Sequence, residues 1–166
     1  MHDGCKWLTP PVEAIRGENS VQYLARLYPL FKDDFVKTHP VFNGRRVLYN
    51  SRPIIHGYEE AFFHITHADY DKRGFENRTI DYARSECIQW IKEIIEHYPC
   101  TEGCCPGIKV WKVKRRIHFL FEKERYLVVI EERGSEYQLV TAFRINYAHE
   151  LKIKLRQYEE YKNKVL

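Results

Sequence analysis

The chain has 166 residues, of which 44% are hydrophobic and 30% charged, the balance of a globular protein with one core rather than of a disordered one. Its longest apolar run, Tyr126–Ile130, falls far short of the ~20 residues a membrane helix needs, and its first residues include Asp3, Lys6 and Glu13 where a signal peptide would be apolar. A net charge of +4 permits an anionic partner without demanding one, so the expectation is a cytoplasmic protein with reduced thiols and no membrane partner.

We expect a single domain, a helical segment over residues 1–40 followed by a helix-plus-sheet core over 41–166. Residues 20–36 start at Ser20 as a candidate N-cap and repeat Leu24, Leu27, Leu30 and Phe31 at helical spacing, and Pro29 predicts a kink or an end. Asn43–Gly44 precedes a short strand over Arg46–Tyr49, and a second short strand is predicted over Glu60–Thr66. A charged, glycine-containing loop follows from Asp69 to Asn77. Over residues 79–98, Ile80, Arg84, Cys87, Ile88, Ile91, Ile94, Ile95 and Tyr98 form one helical stripe that Pro99 ends. Four strand-like runs come next: Ile108–Val113, Arg116–Glu122, Tyr126–Glu132 and Glu136–Ile145. Their short connections, including the hairpin loop Arg133–Ser135, predict an antiparallel meander, and residues 147–163 close with a helix. The expected class is α+β: a four-stranded antiparallel sheet with helices packed on one face and a C-terminal helix.

Several residues break these local patterns. Arg84 lies within the apolar stripe of its helix, and a permanently charged guanidinium turned toward a core needs an acid or an anion. It either pairs with Asp81 or Glu86 at the edge of the buried zone or meets an anion where helix joins sheet. His64 and Thr66 would share a strand face, with His67 at the strand end. An imidazole titrates near neutrality, so either histidine is a candidate proton carrier, the plainer alternative being half-exposed caps. In the last strand, Tyr137, Leu139, Thr141, Phe143 and Ile145 would share one face and Gln138, Val140, Ala142 and Arg144 the other. The Thr141 hydroxyl there needs a partner, backbone or phosphate.

Lys109, Lys112, Lys114, Arg115 and Arg116 surround Trp111. They fit a phosphate-tracking surface with a stacking platform, and equally a solvated hairpin that protects a sheet edge. His97, Cys100, Cys104 and Cys105 gather four soft donors within nine residues, a weak zinc candidate without the second half of a ligand motif, for which an ordinary loop is the plainer reading. No cofactor is expected.

The ordered set FFHITH (Phe62–His67), RTIDYARSECIQWI (Arg78–Ile91), a Trp-bearing strand at Val110–Trp111, RYLVVIEERG (Arg125–Gly134) and YQLVTAFRI (Tyr137–Ile145) resembles phage- and mobile-element-associated proteins. These are grouped with the barnase–EndoU–colicin–RelE ribonuclease superfamily. The likeness spans roughly residues 40–163. It implies helices on a four-stranded antiparallel sheet with RNA across the sheet, and cleavage without metal through the RNA's own 2′-hydroxyl. Carried over by position, it assigns catalytic roles to His64, Arg84 and Thr141, with His67 as a second base candidate and Arg116 or Arg144 assisting Arg84. Phe143 stands where the family pattern has Tyr, so a catalytic phenol is missing. The expected function is therefore a toxin-like endoribonuclease that binds RNA through Lys109, Trp111, Lys112, Lys114, Arg115, Arg116 and Arg144, with a cognate inhibitor protein as a further partner. A non-catalytic RNA- or nucleotide-binding module and a protein-interaction module of immunity or adaptor type are the alternatives.

Overall fold

Asn19, rather than Ser20, starts the first helix, α1 (Ser20–Phe31). Its side chain accepts from the Gln22 N–H at 2.8 Å, and the Gln22 side chain accepts from the Asn19 N–H at 3.0 Å, a reciprocal capping box. Pro29 does not end the helix, which runs through Phe31 into a π-helical turn over Lys32–Lys37. The computed structural model describes residues 5–68, 78–100 and 107–165. The expected loop over Asp69–Asn77 therefore lies outside the described residues.

β1 (Val41–Phe42) and β2 (Arg45–Leu48) form a hairpin. Asn43 and Gly44, at φ 51° and 72°, supply the two left-handed positions that a tight two-residue hairpin turn requires. A small hairpin of β3 (Ile54–Ile55) and β4 (Tyr58–Glu59) leads into α2 (Glu60–Thr66), where a strand was expected. The run is apolar at both periods. The helix prevails because Ala61, Phe62 and Ile65, at i, i+1 and i+4, then turn together into the core.

β5 (His67–Ala68) pairs with β6 (Thr79–Ile80), followed by α3 (Tyr82–Ser85) and α4 (Trp90–His97). The single helix expected over 79–98 is thus a strand and two helices. Ile80 pairs with His67, and Asp81 caps α3. The break between α3 and α4 has a backbone cause: the Glu86 carbonyl accepts from the Val12 N–H at 2.8 Å, while the Trp90 N–H turns to Cys87. The periodicity survives the break because Cys87 and Ile88 remain buried.

The last strands are β7 (Lys109–Val113), β8 (Arg116–Phe121), β9 (Tyr126–Arg133) and β10 (Glu136–Arg144), before α5 (Ala148–Val165). They form the expected meander, but the sheet has six strands in the order β1-β2-β10-β9-β8-β7. It is mixed, because β2 joins β10 in parallel through Val47↔Tyr137 and Leu48↔Gln138. Helices cover both faces, not one. On the first face, α1, α2 and α4 close the main core over Phe119, Tyr126, Val128 and Leu139. On the second, Leu151, Leu155 and Tyr158 of α5 pack over Trp111, Leu120, Leu127 and Val129. The α+β class holds, while the four-stranded, one-sided layout does not. Among the described residues, no helix is long and apolar enough to cross a membrane.

One irregularity positions the site. Leu139 pairs with Ile130 and Thr141 with Val129, so Val140 is an extra, bulged residue. A regular strand would put Leu139 and Thr141 on the same face, as the alternation implied. The bulge separates them: Leu139 joins the main core, and Thr141 stands in register with Val129 of the second.

Candidate functional site

β2 ends at Leu48, and beyond Gln138 the outer edge of β10 is flanked by α2 and α3 in place of a strand. At this change of neighbour lies an open cleft of about 460 Å³ lined by His64, Ala68, Arg78, Arg84, Val140, Thr141 and Phe143. No carboxylate is among the described lining residues.

His64 reaches the cleft from the last turn of α2. Its Nδ1 lies 3.0 Å from Arg78 Nη1 and its Nε2 3.0 Å from Thr141 Oγ1. A guanidinium only donates, so Nδ1 accepts, the ring proton is on Nε2, and Thr141 Oγ1 accepts that proton. Burial, reinforced by Arg84 and Arg78, holds the imidazole down to about 4, so it is neutral at pH 7. The hydroxyl proton of Thr141 remains to be donated onward.

Arg84 answers its anomaly in two ways. Its Nη1 donates to the His64 carbonyl at 2.8 Å and to the His67 carbonyl at 2.9 Å, tying the C-terminal end of α2 to α3. Its guanidinium also borders the cleft, with Cζ 5.4 Å from the centre of the Phe143 ring. Where a phenol would offer a hydroxyl, Phe143 offers only a ring face. Two guanidiniums, a hydroxyl and a neutral imidazole on one wall have the chemistry to hold an oxyanion.

The remaining expected residues lie elsewhere. His67 is buried beside the cleft, its ring stacked on Phe63 at 4.0 Å and its Nδ1 directed to Thr66 Oγ1 and the Phe63 carbonyl. Burial also pushes it down to about 4. It contributes a backbone carbonyl to the site and does not line the cleft with its ring. Arg144, on the main-core face, contacts the Cys87 thiol at 3.0 Å and Glu86 at 3.6 Å, so it does not assist Arg84.

Trp111 is fully buried, stacked on His118 and bonded through Nε1 to Gln157, so it cannot serve as a platform for bases. The cations around it are largely paired: Lys109 with Glu122, Lys112 with Glu132, and Arg115 and Arg116 with Glu131. Arg116 is two strands away from the cleft, and Lys114 occupies the left-handed turn position of the β7–β8 hairpin. His97 stacks on Trp7 at 4.6 Å, and Cys100 accepts from Trp7 Nε1 at 3.5 Å, while Cys104 and Cys105 lie outside the described residues. Among the described residues, no group of three or more His, Cys, Asp or Glu side chains could hold a metal ion.

Arg78 is the site residue that the sequence reasoning passed over. It stands just before β6, outside any periodic stripe, and its only signal was membership of the RTIDYARSECIQWI motif. A scan against family models finds no match for the chain, and searches of curated proteins and of solved structures return none either.

Proposed function

We propose that the cleft holds the scissile phosphate of an RNA strand and that the chain is a metal-independent endoribonuclease. The observation that carries this reading is the meeting of His64, Thr141, Arg78 and Arg84 on one wall, with the imidazole in hydrogen-bond reach of both the hydroxyl and a guanidinium. A phosphate entering the cleft draws Arg78 onto its non-bridging oxygens, which releases His64 Nδ1. The neutral imidazole then takes the 2′-hydroxyl proton at Nδ1, while its Nε2–H stays on Thr141 and fixes the ring. Arg78, Arg84 and the Thr141 hydroxyl stabilise the charge that gathers on the phosphorane oxygens. The 2′-oxygen displaces the 5′-oxygen, giving a 2′,3′-cyclic phosphate and a 5′-hydroxyl. No second imidazole or amine is among the described lining residues, so the leaving oxygen takes its proton from water in the open cleft.

The test is cleavage of single-stranded RNA in EDTA, with the termini identified. Wild type is expected to leave cyclic phosphate ends and to spare a 2′-deoxy strand. His64→Ala and Arg78→Ala are each expected to lose about 10²–10⁴-fold in rate. Full activity in both variants overturns the mechanism.

The missing second proton carrier favours one alternative, an RNA-binding module without cleavage. It predicts salt-dependent binding to the same cleft, weakened by Arg78→Ala, with the strand left intact.

A further inference from the structure

Across the sheet from Thr141 lies a second basic pocket that the proposed chemistry does not use. Thr141 pairs with Val129 and Val129 with His118, so the three stand in one row on the α5 face. Two strand spacings of about 4.8 Å separate the backbones at Thr141 and His118. Around His118, the side chains of Lys114, Arg115, Arg116, Glu131 and Gln157 line a pocket of about 430 Å³.

Its charges do not balance. The buried Glu131 carboxylate meets Arg133 at 3.1 Å, Arg116 at 3.3 Å and Arg115 at 3.5 Å. Three guanidiniums on one carboxylate leave a local excess of positive charge, to which Lys114 adds. Glu131 faces the same pocket, but its oxygens are engaged in holding the guanidiniums in place. Beneath them lies His118, only 6% exposed, stacked on Trp111 at 5.0 Å. Its Nδ1 is sealed from solvent and makes no well-formed hydrogen bond among the described residues, with only the Arg116 backbone near enough to favour its proton. Burial, with Lys154 and Arg116 close by, holds this imidazole down to about 4. Like charges gathered over a buried polar ring repel one another until an anion joins them. A hairpin that only had to stay solvated would spread its cations apart.

We propose that this pocket is a second phosphate site, taking one tetrahedral phosphate group on Arg115, Arg116 and Lys114 above His118. The phosphate comes either from a strand that also occupies the Thr141 cleft or from a free phosphate ion. The first source rests on the RNA reading of that cleft and makes the substrate a strand of several nucleotides; the second does not depend on it.

The experiment follows the imidazole resonances of the full chain by long-range 1H–15N NMR. Inorganic phosphate, a 2′-deoxy dinucleotide and a 2′-deoxy hexanucleotide are titrated separately into wild type and the double variant Arg115→Gln/Arg116→Gln. Phosphate is expected to move His118 saturably in wild type, and the double variant to bind it about tenfold more weakly. Unchanged His64 resonances in that variant show that the fold is intact. If phosphate leaves His118 unmoved in wild type, the proposal falls. A hexanucleotide that binds about tenfold tighter than the dinucleotide, an advantage lost in the double variant, supports the strand as source. Equal binding of the two strands, with phosphate still moving His118, supports the free ion and removes the strand. Absence of RNA cleavage alongside a responsive His118 refutes the ribonuclease reading and leaves this site standing.

Discussion

At His64, burial and then the guanidiniums of Arg84 and Arg78 lower the basicity of the ring, and Arg78 also fixes its tautomer, leaving the Nε2 proton on Thr141. Replacing Thr141 by Val removes the acceptor and leaves a half-buried donor unsatisfied, at a cost of about 1–3 kcal/mol read from urea unfolding, which Thr141→Ser restores. The same electrostatics set the pH profile. A base must be neutral to act, so kcat/KM for RNA cleavage is expected to be level above pH 5 and to fall through about 4, the value for His64 in the free site. Arg78→Ala removes one of the cations holding the imidazole down, and whatever activity remains should fall at a higher pH. A limb that stayed in place would show that Arg78 does not act on His64. Arg84 and Thr141 stood out in the sequence as polar groups set in apolar patterns, and His64 as an imidazole beside a charged loop; that the three meet in one cleft was not legible there. Trp111 was misread because alternating cations suggested a surface, whereas a sheet covered on both faces buries every second residue of even a basic strand.

The end of α2 is the element on which the site turns. Its terminal carbonyls would lack helical partners, and α3 supplies them: Arg84 Nη1 bonds the carbonyls of His64 and His67, and the Asp81 N–H and Ser85 Oγ bond that of Thr66. Arg84→Met is therefore expected to cost about 1.5–3 kcal/mol by urea unfolding, as the loss of charged hydrogen bonds to a helix end. Ser85→Ala is expected to cost nearer 1 kcal/mol. A neutral outcome for Arg84→Met would mean that the clamp does not hold α2. The elements divide in the same way in what the sequence discloses. Helix α5 and the strands of the meander were plain, having enough length for their period to show. Short α2 satisfied two periods at once, and the gap between α3 and α4 was hidden because its cause, a carbonyl taken by Val12, lies in a distant segment. The parallel union of β2 with β10 left no mark on either strand.

Three histidines, His64, His67 and His118, are each held down to about 4 from an ordinary 6.5, chiefly by burial. The unfolded chain binds their protons first, so the stability they contribute is complete above pH 6.5 and is lost as the pH falls from 6.5 toward 4. Asp34, raised to about 6 by burial, works in the opposite sense and offsets part of the slope. A difference measurement isolates one group. His118→Gln should be less destabilising relative to wild type at pH 5 than at pH 7.5, by on the order of 2 kcal/mol from urea midpoints. A gap that stayed constant with pH would mean that His118 titrates normally. The whole architecture was the least legible scale, since it depends on which distant segments meet.

Val47 waits for Tyr137, and His64 waits for Thr141. A nascent chain still emerging from the ribosome carries β2 with a bare edge until β10, about ninety residues later, has been made. Products of interrupted synthesis ending before Glu136 should show no protease-resistant core, and none of them can assemble the cleft. Whatever this cleft does to its ligand, it can do only once β10 has joined β2.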